Sequence, residues 1–474
     1  TTPKRTTPKP TSRTTTSSTR TTLKATTVQR TTPKPTTPKP TTLKPTTLKP
    51  TTLKPTTLKP TTRKRAMTTK FMPTGVPRDP GRDMNYESLI CTVSVPESHE
   101  KLMIPKDGVC DFLFYDSLYM KFGDTLVKEP GPQLLTFLRA AASSKNTDYG
   151  CSVDIDHART FSDHLRQESG KKRIVEMWKR NVFHYGFLTL DQFRSATPVI
   201  QEALSSLKDL TELLELAVGK TAVTVLGIYS PAKYICEKIS SILGAQMFKP
   251  AAIIILGHIS YNDWHSYACR ILPPNVYGVS RDILRKMFYG HLFEDGVSLS
   301  RCITQKVELT VKIPVKVSVT LRGRRYRMKP ATEKSFIGLG TFDLLNECSR
   351  AKQNSTFDQN APAVRICAES EVYKRNVNFS EQYQTVITYD NSKGFTITFD
   401  NDNSLRTKVC DAQAKHGSFG LAAYDVNYDQ GDNVCPKWGA KGHYSRLYLV
   451  QRLNAFMNGK SPGGETDCET HSFN

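Results

Sequence analysis

The sequence predicts an α/β chain: a (β/α)8 barrel of eight parallel strands, with an α+β insertion between the seventh and eighth. A disordered Thr/Pro/Lys-rich tail precedes it. Three observations point there. Thr160 to Ser195 reads as helix, glycine, strand, the repeating step of such a barrel. Eight strand-like runs alternate with helical patterns, and the first two are short, apolar and bounded by Pro, Gly or Asp, as buried parallel strands are. Residues 86–458 are long enough for one barrel with an insertion.

The first strand is Leu89 to Val95 (LICTVSV), and the second is Cys110 to Tyr119 (CDFLFYDSLY). Leu134 to Ala142 follows as a helix, and Tyr149 to Ile155 as the third strand. Ile174, Val175, Met177, Trp178 and Val182 mark one face of the next helix. Tyr185-Gly186-Phe187 then opens a fourth strand, Leu188 to Phe193. Pro198 to Ala217 is a long amphipathic helix, Thr221 to Ile228 the fifth strand, and Ala232 to Leu243 a helix. Ala251 to Gly257 is the sixth strand. Val315 to Leu321 is the seventh, closing on Gly323-Arg324-Arg325-Tyr326. The insertion, residues 327–415, holds two strand-like runs, Thr385 to Tyr389 and Gly394 to Phe399, and a helix from Leu405 to Lys415. Phe419 to Tyr424 is the eighth strand and Tyr444 to Met457 the last helix, with residues 459–474 a flexible end.

Residues 1–80 form the tail. TTPKP occurs twice in Thr31 to Pro40 and TTLKP four times in Thr41 to Pro60. Proline at this density blocks helix and ladder formation, and few apolar residues are available for a core. The expected state is extended polyproline II, roughly 3.1 Å per residue. Threonine-rich repeats with proline read as an O-glycosylated, mucin-like stalk, the alternative being a plain linker. Arg63-Lys64-Arg65 reads as three more charges rather than a processing site.

The tail also explains the net charge of +22. Residues 1–70 carry 17 Lys or Arg and no acid; the other 404 carry 49 basic and 44 acidic side chains. No aromatic-interleaved basic stripe accompanies the charge, so nucleic acid is not an expected partner. No run of about 20 apolar residues occurs, so no membrane span is expected. The chain starts on Thr, as a fragment or processed form does, leaving any signal peptide out of sight. Eleven cysteines, with no C-x-x-C pair, read as disulfides in an oxidising compartment, the odd count leaving a thiol over. Asn354-Ser355-Thr356 and Asn378-Phe379-Ser380 are N-glycosylation sequons. These features predict a secreted, extracellular protein.

Phe161-Ser162-Asp163 and Tyr185-Gly186-Phe187 resemble part of a signature of the family 18 glycoside hydrolases, the chitinases and their inactive relatives. That signature is a helix opening on F-S-D that runs into Y-G-F-D-G-x-D-x-D-x-E at the fourth strand of a TIM barrel. The resemblance covers nearly all of Glu87 to Met457. Gly323-Arg324-Arg325-Tyr326 is similar to the family's G-R-S-F, TYDNSKGF to its W-x-x-Y-D-D, and Asp425 to Asp429 to its D-x-D-D. It implies disulfides Cys91–Cys110 and Cys348–Cys435. Cys367 with Cys410 is a further candidate pair, and Cys468 a candidate for an interchain bond. With a mucin-like tail, the whole resembles secreted chitinase-related proteins of arthropods such as ticks.

The acidic part of the signature is missing. Its aspartate positions fall on Leu188, Asp191 and Phe193 and its glutamate on Ser195, so one carboxylate of four remains. In the family the glutamate protonates the leaving oxygen while the substrate's acetamide attacks, and a serine hydroxyl cannot supply that proton. Asp191 reads as a hydrogen-bonded strand-end residue and Glu202 as part of a solvated helix face. Other departures agree. Ser152-Val153-Asp154-Ile155 lacks the glycines of S-x-G-G, and Leu256-Gly257-His258-Ile259 lacks the Tyr and Asp of M-x-Y-D. His258 reads as a satisfied core histidine. Where the family has a floor Trp at the end of the eighth strand, this chain has Tyr424, the favoured sugar-stacking residue. Tyr115, Tyr261, Trp264 and Tyr326 fall near other strand ends and read equally as core or rim aromatics. Asp154, Asp156 and His157 lack a further ligand at defined spacing for a metal, and no cofactor is implied.

The expectation is therefore a catalytically inactive chitinase-like protein that binds chitin or another N-acetylhexosamine glycan, or serves as a mucin-like matrix component. The alternatives are an active chitinase with a displaced acid, and a purely structural mucin whose barrel binds no sugar.

Overall fold

The computed structural model describes residues 79–80, 83–94, 102–120, 123–190, 196–228, 233–259, 269–275, 313–328, 343–349, 360–361, 370–417, 419–429, 442–459 and 468. All belong to the second of two units into which the chain divides, Lys70–Asn474.

Eight strands close a barrel: β1 (Ile90–Ser94), β2 (Phe112–Leu118), β3 (Asp148–Val153), β4 (Val182–Leu190), β5 (Thr224–Ile228), β6 (Ala252–Ile255), β7 (Val315–Thr320) and β14 (Gly420–Tyr424). Every neighbouring pair is parallel, and β14 returns to pair β1 through Ile90–Ala422. All eight are buried on both faces, which is why a strand such as β6, AIII, is apolar without alternation.

Alternation along the strands sorts side chains into two cores. Ile90, Phe112, Phe114, Leu188, Val225, Ile254, Ala422 and Tyr424 fill the interior. Leu113, Tyr115, Val153, Phe187, Leu226, Val317 and Ala423 face the helices. The helix layer includes α1 (Pro132–Ser143), α2 (Ala158–Arg166), α3 (Glu168–Trp178), α4 (Ala196–Val218) and α5 (Lys233–Ala245). α1 begins on Pro132, whose missing N–H and fixed φ suit the first helical position, and buries Leu134, Phe137, Leu138 and Ala141 at helical spacing. α2 buries Ala158, Phe161, Ser162 and Leu165 in the same pattern. The Ser162 hydroxyl lies 2.8 Å from that of Ser206 on α4. As read from sequence, Glu202 is exposed.

The insertion is an antiparallel sheet built from β8 (Gly323–Met328), β9 (Cys348–Ser349), β10 (Asn360–Ala361), β11 (Asn378–Ser380), β12 (Thr385–Asp390) and β13 (Phe395–Phe399). Its order is β10-β8-β13-β12-β11, with β9 also on β8. It carries α6 (Glu371–Arg375) and is followed by α7 (Asp402–His416); α8 (Ser445–Met457) follows β14. α7 is capped by Asn401, whose side chain accepts from Ser404 N at 2.9 Å.

The joint between barrel and insertion is polar, buried and paired. Lys408 on α7 donates to both carboxylate oxygens of Asp400, at 2.8 and 2.9 Å, and to Asn275 O. Asn275 donates to Asp400 and to Thr320 O, and accepts from Thr320 N. Arg446 on α8 reaches the Asp429 carboxylate at 2.8 Å, Asp400 O at 2.8 Å and Leu321 O at 2.6 Å.

Several expectations are corrected. The fourth strand, Val182–Leu190, starts at Val182 rather than Leu188, and the expected end at Phe193 lies outside the described residues. VFHYGFLTL is buried on both faces, so its first half carries no alternation to separate it from the preceding helix. The insertion starts at Gly323, not 327, because β8 leaves the barrel and pairs with β13. Cys91–Cys110 forms as implied. Cys348 pairs with Cys269, not Cys435, because backbone bonding of Cys348 N to Cys269 O brings those two residues together. Cys410 pairs with Cys468, so it is not the partner of Cys367, and Cys468 bonds within its own chain rather than to a second one. Cys435 and Cys367 lie outside the described residues. Cys151 is a free, buried thiol.

Candidate functional site at the barrel mouth

A barrel of parallel strands presents the ends of its strands at one rim, and chemistry in this architecture sits at the C-terminal rim. Here that rim gathers Ser94 from β1, Asp116 from β2, Ser152 from β3, Leu188 and Thr189 from β4, Thr320 from β7 and Tyr424 from β14. His258, Arg322 and Asp425 follow directly from β6, β7 and β14. Each of these side chains is at most 8% exposed.

Asp425 is the anionic centre. Its carboxylate accepts from the Ser94 and Thr320 hydroxyls and stands 3.3 Å from Arg322 Nε. Burial alone would raise its pKa; Arg322 foremost, with the two hydroxyls, outweighs that and holds it below the ordinary carboxylate value. Its backbone is left-handed, φ 59°, a conformation aspartate tolerates better than most residues. The turn is fixed by Asp425 N donating to the Thr92 hydroxyl at 3.1 Å.

Asp116 is its opposite. Burial first, and the negative charge of Asp425 second, raise its pKa from 3.8 to about 7. Ser152 donates to it, itself accepting from Leu188 N at 3.2 Å, and the Thr189 hydroxyl lies 3.5 Å away. Two carboxyl groups with pKa values pushed apart are the arrangement that assigns acid and base roles in hydrolases. Here neither opens to solvent: Asp116 and Asp425 are each 2% exposed.

His258 is a satisfied core histidine, as its sequence setting predicts. Its Nδ1 is 2.7 Å from the Ser318 hydroxyl, and its ring lies 4.6 Å from that of Tyr424. Burial drives its pKa down to about 3, so the ring is neutral. Tyr424 ends β14 as read from sequence, but it is 1% exposed. Its hydroxyl donates to Leu188 O at 2.8 Å, closing the barrel across β14 and β4. Leu188, at the first aspartate position of the resemblance, packs among the interior apolar residues. A side chain on neighbouring Gly227 would collide with the Leu188 carbonyl, so β5 approaches β4 closely at this bulge.

Two predicted aromatics do not belong to the mouth. Tyr115 faces the helix layer, because alternation on β2 turns Phe114 and Asp116 inward. Its ring packs 5.5 Å from Phe137, and its hydroxyl donates to Asp124 at 2.7 Å. Tyr326 lies in β8 of the insertion and donates to Leu272 O at 3.0 Å. Asp191, Phe193, Ser195, Tyr261 and Trp264 lie outside the described residues. Sequence reading missed Asp116, Arg322 and the role of Asp425. An acidic residue inside an apolar strand, as Asp116 is in FLFYDSL, was the available signal.

No family model matches the chain, and no curated protein matches it. Solved structures do. A mutant of the class V chitinase from Nicotiana tobaccum in complex with NAG4 aligns with a TM-score of 0.50 at 12% identity, covering 77% of this chain and 98% of that one. The group IV chitinase of Ostrinia furnacalis in complex with allosamidin aligns with a TM-score of 0.50 at 11% identity, covering 78% and 99%. At such identity the likeness is one of fold: this chain carries the barrel architecture found in those chitinases.

Proposed function

We propose that this is a secreted, catalytically inactive chitinase-like protein that binds glycans of the chitin class or serves as a mucin-like extracellular-matrix component. The observation that carries the loss of activity is the enclosure of the mouth's carboxyls. Asp425 is neutralised by Arg322, and Asp116, its pKa raised to about 7 by burial, lies beneath the rim at 2% exposure. Leu188, an apolar interior side chain where the resemblance implies an aspartate, supports the same reading, as does Ser195 at the glutamate position.

Secretion is supported by three disulfides and the sequons, the mucin-like role by the Thr/Pro repeats. Among the described residues no helix is long and apolar enough to cross a membrane. Glycan binding is supported by the barrel's likeness to a chitinase solved with NAG4. One observation favours a second reading, a matrix protein whose barrel binds no sugar: Tyr424 has His258 against its ring and no exposed face for a pyranose.

Two assays test this. Purified protein is incubated with a fluorogenic chitooligosaccharide, and no turnover above the blank is expected; turnover abolished by Asp191→Asn or Asp116→Asn would refute inactivity. A chitin-bead pull-down then separates the two readings, retention supporting glycan binding and flow-through the purely structural role.

A further inference from the structure

The insertion sheet ends on β11, three residues long, which pairs with β12 through Asn378–Ile387, Phe379–Val386 and Ser380–Thr385. Among the described residues no strand pairs its outer side. An open edge offers backbone donors and acceptors to any passing strand, and folded proteins protect such edges with shortness, charge, proline, bulges or a covering group; of these β11 has only its shortness. β11, Asn-Phe-Ser, has neither charge nor proline, and no bulge interrupts its register with β12. Phe379 and Ser380 are partly exposed, and Asn378 is exposed.

The same three residues are a complete N-glycosylation sequon, with the acceptor amide on the exposed residue and the hydroxyl two positions on. A helix and a tight hairpin flank the strand without covering Asn378. The second sequon, at Asn354, lies outside the described residues. The sequon and the edge, open among the described residues, are independent features of the same place.

We propose that Asn378 carries an N-linked glycan and that this glycan covers the open edge of the insertion sheet, keeping the chain from edge-to-edge association. The proposal rests on the extracellular reading above, since the modification belongs to the secretory route. The bond formed is an amide N-glycoside between the Asn378 side-chain nitrogen and the first sugar of a lipid-linked donor, with the lipid pyrophosphate as leaving group. The glycan then projects from the last strand, where a partner strand would otherwise dock.

The full chain is expressed in insect cells behind a heterologous leader, so its natural address does not enter. Peptide N-glycosidase digestion in heavy-oxygen water should convert Asn378 to a labelled Asp in the mass spectrum. Asn378→Gln and Ser380→Ala should both abolish the label, and Ser380→Thr should keep it. In sedimentation velocity the wild type and Ser380→Thr should stay monomeric, while Asn378→Gln and Ser380→Ala shift towards larger species as concentration rises. Unlabelled Asn378 in the secreted, folded protein overturns the modification and leaves the extracellular reading standing. A labelled Asn378 whose loss changes no sedimentation profile overturns the edge-covering role. A chain that is glycosylated here yet shows its natural copy in a reducing compartment overturns the extracellular reading instead.

Discussion

At the base of the barrel Lys316 on β7 is fully buried, and its amine donates to two backbone carbonyls, Tyr86 O at 2.9 Å and Ser88 O at 2.5 Å. At the mouth, about a strand's length away, Asp116 is equally buried, yet its neighbours include a second carboxyl, Asp425. The base ties the approach to β1 against β7 with a single cation on fixed acceptors. The mouth stacks titrating side chains on one another. Burial lowers Lys316 to about 7, with Asp111 opposing, and raises Asp116 to about 7, with Asp425 assisting. Burial therefore shifts the two ends in opposite directions, each towards its neutral form. The lesson is that a closed barrel tolerates interior charge at either rim, with opposite consequences for how it responds to protons.

The largest expected effect breaks the mouth at its ion pair. Arg322→Met leaves the Asp425 carboxylate buried without its cation and should cost about 3–5 kcal/mol in urea denaturation. A loss below about 1 kcal/mol would show that water reaches Asp425.

Next comes the acid side of the contrast. Folded Asp116 keeps its proton from 3.8 to about 7 while the unfolded chain releases it, so stability falls as pH rises through that window. Asp116→Asn should flatten this part of the stability–pH curve, removing a slope of at most about 1.4 kcal/mol per pH unit. An unchanged slope would mean Asp116 ionises normally.

The base should answer in mirror image. Unfolded Lys316 stays charged up to 10.5 and folded Lys316 only to about 7, so stability rises with pH between those values. Lys316→Met should remove that rise, and it should cost about 2 kcal/mol at pH 7 by leaving the Tyr86 and Ser88 carbonyls unpaired. A retained alkaline rise would assign it to another group.

The smallest effect sharpens the mouth alone. Tyr424→Phe loses one hydrogen bond to Leu188 O and should cost about 1 kcal/mol by thermal denaturation, without altering either pH slope.

The barrel is readable because its strands are short, β-branched runs such as AIII and VKVSVT set between helical patterns. The start of β4 was not, since His184 and Tyr185 interrupt an apolar run that follows a helix directly. β8 was attached to the seventh strand because the two are separated only by Leu321 and Arg322; which sheet a strand joins is a tertiary choice that local sequence does not encode. The partner of Cys348 lies 79 residues away, and spacing cannot rank it against Cys435. The mouth cluster was invisible for the same reason. Asp116, Arg322 and Asp425 span most of the barrel sequence and acquire meaning only when closure brings β2, β7 and β14 to one rim.

Arg446 has a consequence for how the molecule comes apart. One guanidinium holds the turn after β14, the segment ahead of α7 and the exit from β7, so its hydrogen bonds cannot survive the departure of any one of them. Heating should therefore give a single calorimetric peak for barrel and insertion together, with matched amide-exchange protection on β7 and α7.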